Sequence, residues 1–300
     1  QQFADYLNVK HCIGMSNGTD SLFIALRVLD IKRSDEVLLP VNTFIATAEA
    51  VCNCGATPVF VDVDKKTYNI DILAAEKKIT EKTKAIMPVH LYGQPADMNA
   101  VIKLAEKYNL RIVEDAAQAH GALFENRKVA TFGEFGSFSF YPGKNLGAYG
   151  DAGALVTNDD NLAERARKFI DHGRVDKYKH QIIGYNHRFD GIQAAVLSVK
   201  LKYLEEWNAR RNQIAEIYNK NIDDTKYIKP FIASNVKSAY HLYVLQTKKL
   251  SRDIIIEKLN AANICAGIHY PIPLHRQPAF ANYKFNETTD FLVADELATK

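Results

Sequence analysis

Short apolar runs recur through the first 160 residues: K-H-C-I-G-M (10–15), E-V-L-L (36–39), P-V-F-V-D (58–62), A-I-M-P-V (85–89) and R-I-V-E (111–114). Runs of this length without strict alternation predict short strands buried in a sheet. Between them the apolar positions switch to a spacing of three and four. Leu22, Ala25, Leu26 and Leu29 mark one helix, and similar stretches near 43–53, 71–78 and 97–108 mark others. Phe138 and Phe140 flank Ser139 in a strand-like alternation, 154–157 reads as a further strand and 161–170 as a helix.

Regular alternation of strand and helix predicts an α/β domain with a largely parallel sheet. In such sheets ligands sit beyond the carboxyl ends of the strands. After the irregular, polar stretch 172–184, the segment from Asn186 to about Tyr218 reads as one helix of nearly thirty residues, with Ala194, Leu197, Leu201 and Leu204 on one face. A helix of that length is suited to linking a large domain to a smaller one. The division expected is 1–205 and 206–300, the second part α+β, with a strand at 241–246 and a helix at 251–262 capped by Ser251. The chain opens at Gln1 without a methionine, already in helical pattern, and is expected to lack its natural start.

Composition narrows the class. A chain of 300 residues, 47% hydrophobic and 24% charged, supports a large core. The net charge of +3 is small and the basic residues are interleaved with acidic ones, which gives nucleic-acid binding little support. No apolar run of about 18 residues or signal peptide is present, so no membrane association is expected and cytoplasm is the expected location. Cys12, Cys52, Cys54 and Cys265 show no C-x-x-C spacing and no companion histidines, so reduced thiols and no metal site are expected.

Candidate chemistry gathers where apolar runs end. Ser16-Asn17-Gly18-Thr19-Asp20 opens a helix whose free N–H groups suit a phosphate; locally an ordinary N-cap fits better. Phe44 could wall a flat ligand or belong to the core. Asp115, with Gln118 three residues on, could pair with a protonated ring nitrogen or cap a helix. The stretch F-G-S-F-S-F-Y-P-G-K-N-L-G-A-Y-G-D-A-G (135–153) carries one lysine, Lys144, in a glycine-rich turn. A lysine that loses solvation there can act as a neutral amine and form a Schiff base. A P-loop is excluded: Phe138 stands where its first Gly is required, and Asn145 follows the lysine.

Read together, S-N-G-T-D (16–20), V-N-T-F-I-A-T (41–47), H-L-Y-G-Q-P-A-D-M (90–98), E-D-A-A-Q-A-H-G-A (114–122), S-F-Y-P-G-K-N-L-G-A-Y-G-D-A-G (139–153), G-Y-N-H-R-F-D-G-I-Q-A-A (184–195) and H-Y-P (269–271) resemble the DegT/DnrJ/EryC1/StrS sugar-nucleotide aminotransferases. The resemblance implies the aspartate-aminotransferase fold (fold type I), a mixed, mostly parallel sheet with helices on both faces and a smaller C-terminal α+β domain. It implies pyridoxal 5'-phosphate (PLP) held by Lys144, which also moves the proton, and Asp115 on the ring nitrogen. Gln118 matches the residue beside the ring hydroxyl and Phe44 the stacking aromatic. Gly18, Thr19 and Ser139 match the phosphate cradle, and Asn186 matches an asparagine lent by the neighbouring subunit of a homodimer. Tyr141, His269, Arg210 and Arg211 are the candidates for sugar or diphosphate. The implied substrates are L-glutamate and a keto sugar on a nucleotide, most like a dTDP-3-keto-6-deoxyhexose. The alternatives are a transaminase acting at carbon 4 and a regulator that binds PLP without turnover.

Overall fold

The computed structural model describes residues 1–248, 250–283 and 290–300. Among these, seven strands form the central sheet. They are β1 (His11–Met15), β2 (Glu36–Pro40), β3 (Thr57–Val61), β4 (Thr83–Ile86), β5 (Arg111–Asp115) and, beyond the hairpin of β6 (Leu123–Phe124) and β7 (Arg127–Lys128), β8 (Phe135–Ser139) and β9 (Gly153–Thr157). Their order is β1-β9-β8-β5-β4-β2-β3. β9 runs antiparallel to both its neighbours, and the other pairings are parallel. The mixed, mostly parallel α/β sheet is therefore as the pattern predicts.

Helices α1 (Gln2–Leu7), α2 (Gly18–Val28), α3 (Ala46–Asn53), α4 (Ile72–Lys77), α5 (Met98–Tyr108) and α6 (Asp160–Ile170) cover the sheet. Successive strand side chains point to opposite faces, and here both faces are buried. Val37, Leu39, Val113 and Leu155 enter one core with residues of α2, α3 and α6. Leu38, Ile112, Ala154 and Val156 enter a second core with Val101, Leu104 and Ala105 of α5. A strand buried on both sides has no polar face to alternate with, which is why these segments read as continuous apolar runs.

Two expectations are revised. The predicted long helix is α7 (Gly191–Lys200) and α8 (Leu204–Asn221) joined by a 3-10 turn at Leu201–Tyr203. The predicted strand at 241–246 is not a strand over most of its length. Of the short strands β10 (Tyr227–Ile228), β11 (Val236–Lys237) and β12 (Gln246–Thr247), only β12 touches that range, and it pairs with β10. The backbone of 239–242 is bonded elsewhere. Ala239 N donates to Gly93 O at 2.9 Å, Leu242 N to Tyr92 O at 3.3 Å, and the Tyr240 and His241 carbonyls accept from Arg211. Groups bonded in this way cannot join a ladder.

Helix α9 (Arg252–Ala261) is capped by Ser251, whose Oγ accepts from Asp253 N. Helix α10 (Leu292–Thr299) is tied back to the sheet, because the Asp62 carboxylate just beyond β3 accepts from Val293 N and Ala294 N at 2.9 Å. Phe291 and Ala294 lie in the same core as α2 and α3. Among the described residues, no helix is long and apolar enough to cross a membrane, and no cluster of His, Cys, Asp or Glu could hold a metal ion.

Candidate active site

Because β1, β2, β5 and β8 are parallel, their carboxyl ends share one edge of the sheet, and the site is assembled there. At the end of β1 the chain turns into α2. Asn17 caps the helix, its Oδ1 accepting from Asp20 N at 2.8 Å, so the N-terminus of α2 stands at that edge. The start of α2 lies hard against β8 and β9. A Cβ on Gly18 would come within 2.7 Å of the Ser139 Cβ, and one on Gly153 within 2.4 Å of the Asn17 carbonyl. Glycine is needed at both positions for this close approach. Gly18, Thr19 and Ser139 thus converge on one spot, where N–H groups and the positive end of the helix dipole favour an anion.

Asp115 ends β5 and is almost fully buried. Its Oδ2 accepts from Thr47 Oγ1 at 2.9 Å and its Oδ1 from Ala117 N at 3.1 Å. Burial raises its pKa, while those two bonds and the charges of Lys144 and His90 act the other way. The remaining desolvation suits a cationic partner. Lys144 lies in the turn after β8, its backbone N donating to Tyr141 O at 2.9 Å. Burial lowers its pKa, and the Asp115 carboxylate opposes the shift. The two side chains lie within electrostatic reach, one a carboxylate and the other an amine held partly out of water.

The chain immediately before Asp115 explains why the carboxylate is held firmly. Glu114 is fully buried, with one oxygen accepting from Phe132 N (2.6 Å) and Gly133 N (2.9 Å) and the other from Ala130 N (2.7 Å) and His90 Nε2 (3.0 Å). Ala96 N donates to His90 Nδ1 at 3.0 Å, so the ring hydrogen is on Nε2 and points to Glu114. His90 N also donates to Asp115 O at 3.0 Å. The sequence reading had no role for this pair. Its signal was an acid at a strand position where the pattern required a buried residue.

Phe44 is 56% exposed at the end of β2, its ring 6.3 Å from that of Tyr270. Gln118 is engaged at both ends, Oε1 accepting from Tyr92 N at 2.7 Å and Nε2 donating to the Tyr270 hydroxyl at 3.0 Å. His269 precedes Tyr270 and is close enough for Lys144 to lower its pKa after burial has done so. Tyr141 is exposed beside the lysine turn.

The arginine pair divides. Arg211 is half-buried and donates from Nη1 to the Tyr240 and His241 carbonyls at 3.1 and 3.2 Å. Arg210 faces outward and donates to Gln213, and nothing brings it to Lys144. Asn186 is exposed on a loop anchored by His187, whose Nδ1 lies 3.1 Å from Asp20 Oδ2.

The profile of the "DegT/DnrJ/EryC1/StrS aminotransferase family" matches residues 1–300. The chain is 46% identical over 284 residues to the dTDP-3-amino-3,6-dideoxy-alpha-D-galactopyranose transaminase of Aneurinibacillus thermoaerophilus, covering 95% of this chain and 78% of that one. It is 42% identical over 299 residues to a UDP-N-acetyl-3-dehydro-alpha-D-glucosamine 3-aminotransferase of Acidithiobacillus ferrooxidans, covering 100% and 80%. The crystal structure of S. venezuelae DesV in complex with a ketimine intermediate superposes with a TM-score of 0.95 at 42% identity, covering 99% of this chain and 80% of that one. That of ntda from Bacillus subtilis, with bound cofactor PMP, gives 0.89 at 32% identity, covering 99% and 69%. Matched end to end in sequence and in fold, this chain belongs to the DegT/DnrJ/EryC1/StrS aminotransferase family.

Proposed function

We propose that this aminotransferase uses PLP to move the amino group of L-glutamate to carbon 3 of a dTDP-3-keto-6-deoxyhexose, giving the dTDP-3-amino-3,6-dideoxy sugar. The observation that carries the reading is the partly desolvated Lys144 amine beside the buried Asp115, with the N-terminus of α2 at the same edge of the sheet. These residues fit PLP. The α2 terminus and Ser139 suit its phosphate, Asp115 lacks the cation that a protonated ring nitrogen supplies, and Phe44 offers an open aromatic face. When bound, PLP supplies an electron sink for the carbon that loses its proton.

Asp115 keeps a positive charge on the group it faces. Lys144 Nζ, whose charged form burial disfavours, would hold the cofactor and carry the proton between substrate and cofactor carbons. Gln118, held between Tyr92 N and the Tyr270 hydroxyl, would stand beside the ring hydroxyl of the bound cofactor. Tyr141, His269 and Arg211 line the approach for the sugar nucleotide. Arg210 is a weaker candidate, since its guanidinium faces solvent. The choice of dTDP and carbon 3 is supported by relatives named for 3-amino sugars; the UDP-linked relative makes the base the first thing to vary. A homodimer is supported by apolar side chains left open around Asn186, among them Ile183 (93% exposed), Tyr178 and Ile192.

The test is a visible spectrum of the purified protein with PLP, then with L-glutamate, followed by dTDP-3-keto, dTDP-4-keto and UDP-3-keto sugars. Glutamate is expected to bleach the bound-cofactor band, and the dTDP-3-keto sugar to restore it fastest. A band that glutamate leaves unchanged would sink the aminotransferase assignment of this chain, and faster recovery with either other sugar would move the substrate. A second expectation concerns the cradle. Gly18→Ala forces its new methyl into Ser139, and overpacking of this kind costs about 1–3 kcal/mol, so PLP affinity measured by equilibrium dialysis should fall about 10- to 100-fold. Unchanged affinity would place the phosphate elsewhere.

A further inference from the structure

Asn145, the residue after the reactive lysine, is buried. Its Nδ2 donates to Asn208 Oδ1 and to the Ala239 carbonyl, both at 2.9 Å. A backbone carbonyl can only accept, so this contact fixes which end of the amide is nitrogen and leaves Oδ1 as the acceptor. Its partner is His241 Nδ1, at 3.1 Å. The hydrogen of His241 is therefore on Nδ1, and Nε2 presents a bare lone pair.

The imidazole is also held in place. Segment 238–241 is bonded to Gly93 O through Ser238 Oγ (3.1 Å) and Ala239 N (2.9 Å), to Asn212 Nδ2 through Ser238 O (3.1 Å), and to Arg211 through two carbonyls. Gly93, at φ +96°, leaves room for that segment, since a Cβ there would meet Tyr240 N at 2.8 Å. Among the described residues Nε2 of His241 has no partner, and it is not among the sealed, unpartnered side-chain atoms. Burial, reinforced by the nearby charges of Lys144 and Arg211, pushes the His241 pKa down to about 3, so the ring stays neutral in use. A fixed, neutral acceptor beside Lys144 is a site for a hydrogen-bond donor.

Carboxylate, diphosphate and keto oxygens have no hydrogen to give, and a further cation would meet Lys144 and Arg211. A sugar hydroxyl meets the requirement. We infer that His241, with its tautomer set by Asn145, accepts a hydrogen bond from a hydroxyl next to the keto carbon and selects sugars that keep that hydroxyl. The inference rests on the substrate reading above and names the group on that substrate which the site recognises.

The test compares the parent dTDP-3-keto sugar with its 2-deoxy and 4-deoxy analogues in the second half-reaction, for the wild type and for His241→Asn, whose amide can still donate to Asn145. One deoxy analogue is expected to lose about 10- to 100-fold in kcat/KM with the wild type, the size of one lost hydrogen bond to a buried acceptor. In the variant the parent falls by a similar factor, and its advantage over that analogue shrinks to about threefold or less. Equal handling of all three sugars by the wild type overturns the inference whether or not the variant folds, as does a variant that keeps wild-type discrimination. Nitrogen-15 NMR of histidine-labelled protein gives a readout independent of turnover. Between about pH 5 and pH 8 His241 should show a protonated Nδ1 and a bare Nε2, and a hydrogen on Nε2 would refute the tautomer. Failure of glutamate to bleach the wild-type band tells against the aminotransferase reading instead, and leaves the NMR result to decide the tautomer.

Discussion

Lys144→Met is expected to lower turnover by about 10⁴-fold or more, the upper range for loss of a positioned proton-transfer group, with a melting temperature at or above that of the wild type. The two halves of this result have one cause. Burial lowers the Lys144 pKa, so the folded chain disfavours the charged amine relative to the unfolded chain. That contribution opposes folding at any pH below the unfolded-state value, where the amine would otherwise hold its proton. Removing the amine removes the cost, and methionine fills similar space. In the wild type the same depression keeps part of the amine neutral, and turnover should fall as pH drops below the lowered value. Rates with glutamate and keto sugar, set beside thermal melts, test both halves. Turnover within a hundredfold of wild type, or a melt several degrees lower, would show that the lysine is a structural residue.

The largest expected loss of stability lies next to the site. Glu114→Ala leaves the N–H groups of Ala130, Phe132 and Gly133 and the His90 Nε2 hydrogen without their acceptor, in a place that water does not reach. Orphaned buried donors cost about 1–3 kcal/mol each, and Glu114→Ala orphans four of them. A loss of about 4 kcal/mol is therefore expected from urea titrations. Glu114→Gln keeps one carbonyl acceptor and should lose less. Since His90 N also bonds to the Asp115 carbonyl, the alanine variant should bind PLP more weakly even where it remains folded. A loss below about 1 kcal/mol would mean that the loop 130–133 finds other acceptors.

The strands of the main sheet were legible because their side chains are buried on both faces, leaving apolar residues at successive positions such as 37–39 and 112–113. Lys144 and Asp115 stood out because each ends such a run among small residues. Legibility failed where tertiary bonds override local pattern. The stretch His241–Leu245 has the apolar content of a strand, yet its neighbourhood commits the backbone to Gly93, Tyr92 and Arg211. No local pattern announces an arginine on α8 as the partner. Asn145 and His241 are 96 positions apart, and nothing in the spacing of either indicates the contact. Glu114 was passed over for a similar reason, since its four donors come from two distant loops.

The pairing at the edge of the sheet bears on how the chain is made. Among the described residues β1 pairs with β9 alone, His11 opposite Thr157 and Met15 opposite Gly153. Its partner is therefore synthesised roughly 140 residues later, a wait of about 7–28 s at about 5–20 residues per second. Until then the emerging β1 has no strand to dock on, and the start of α2 lacks both Ser139 and Gly153 behind it. The proposed phosphate cradle, which needs Ser139 behind Gly18 and Thr19, is therefore among the last parts of this domain to take shape, and on that reading a newly made chain cannot hold its cofactor until the sheet has closed.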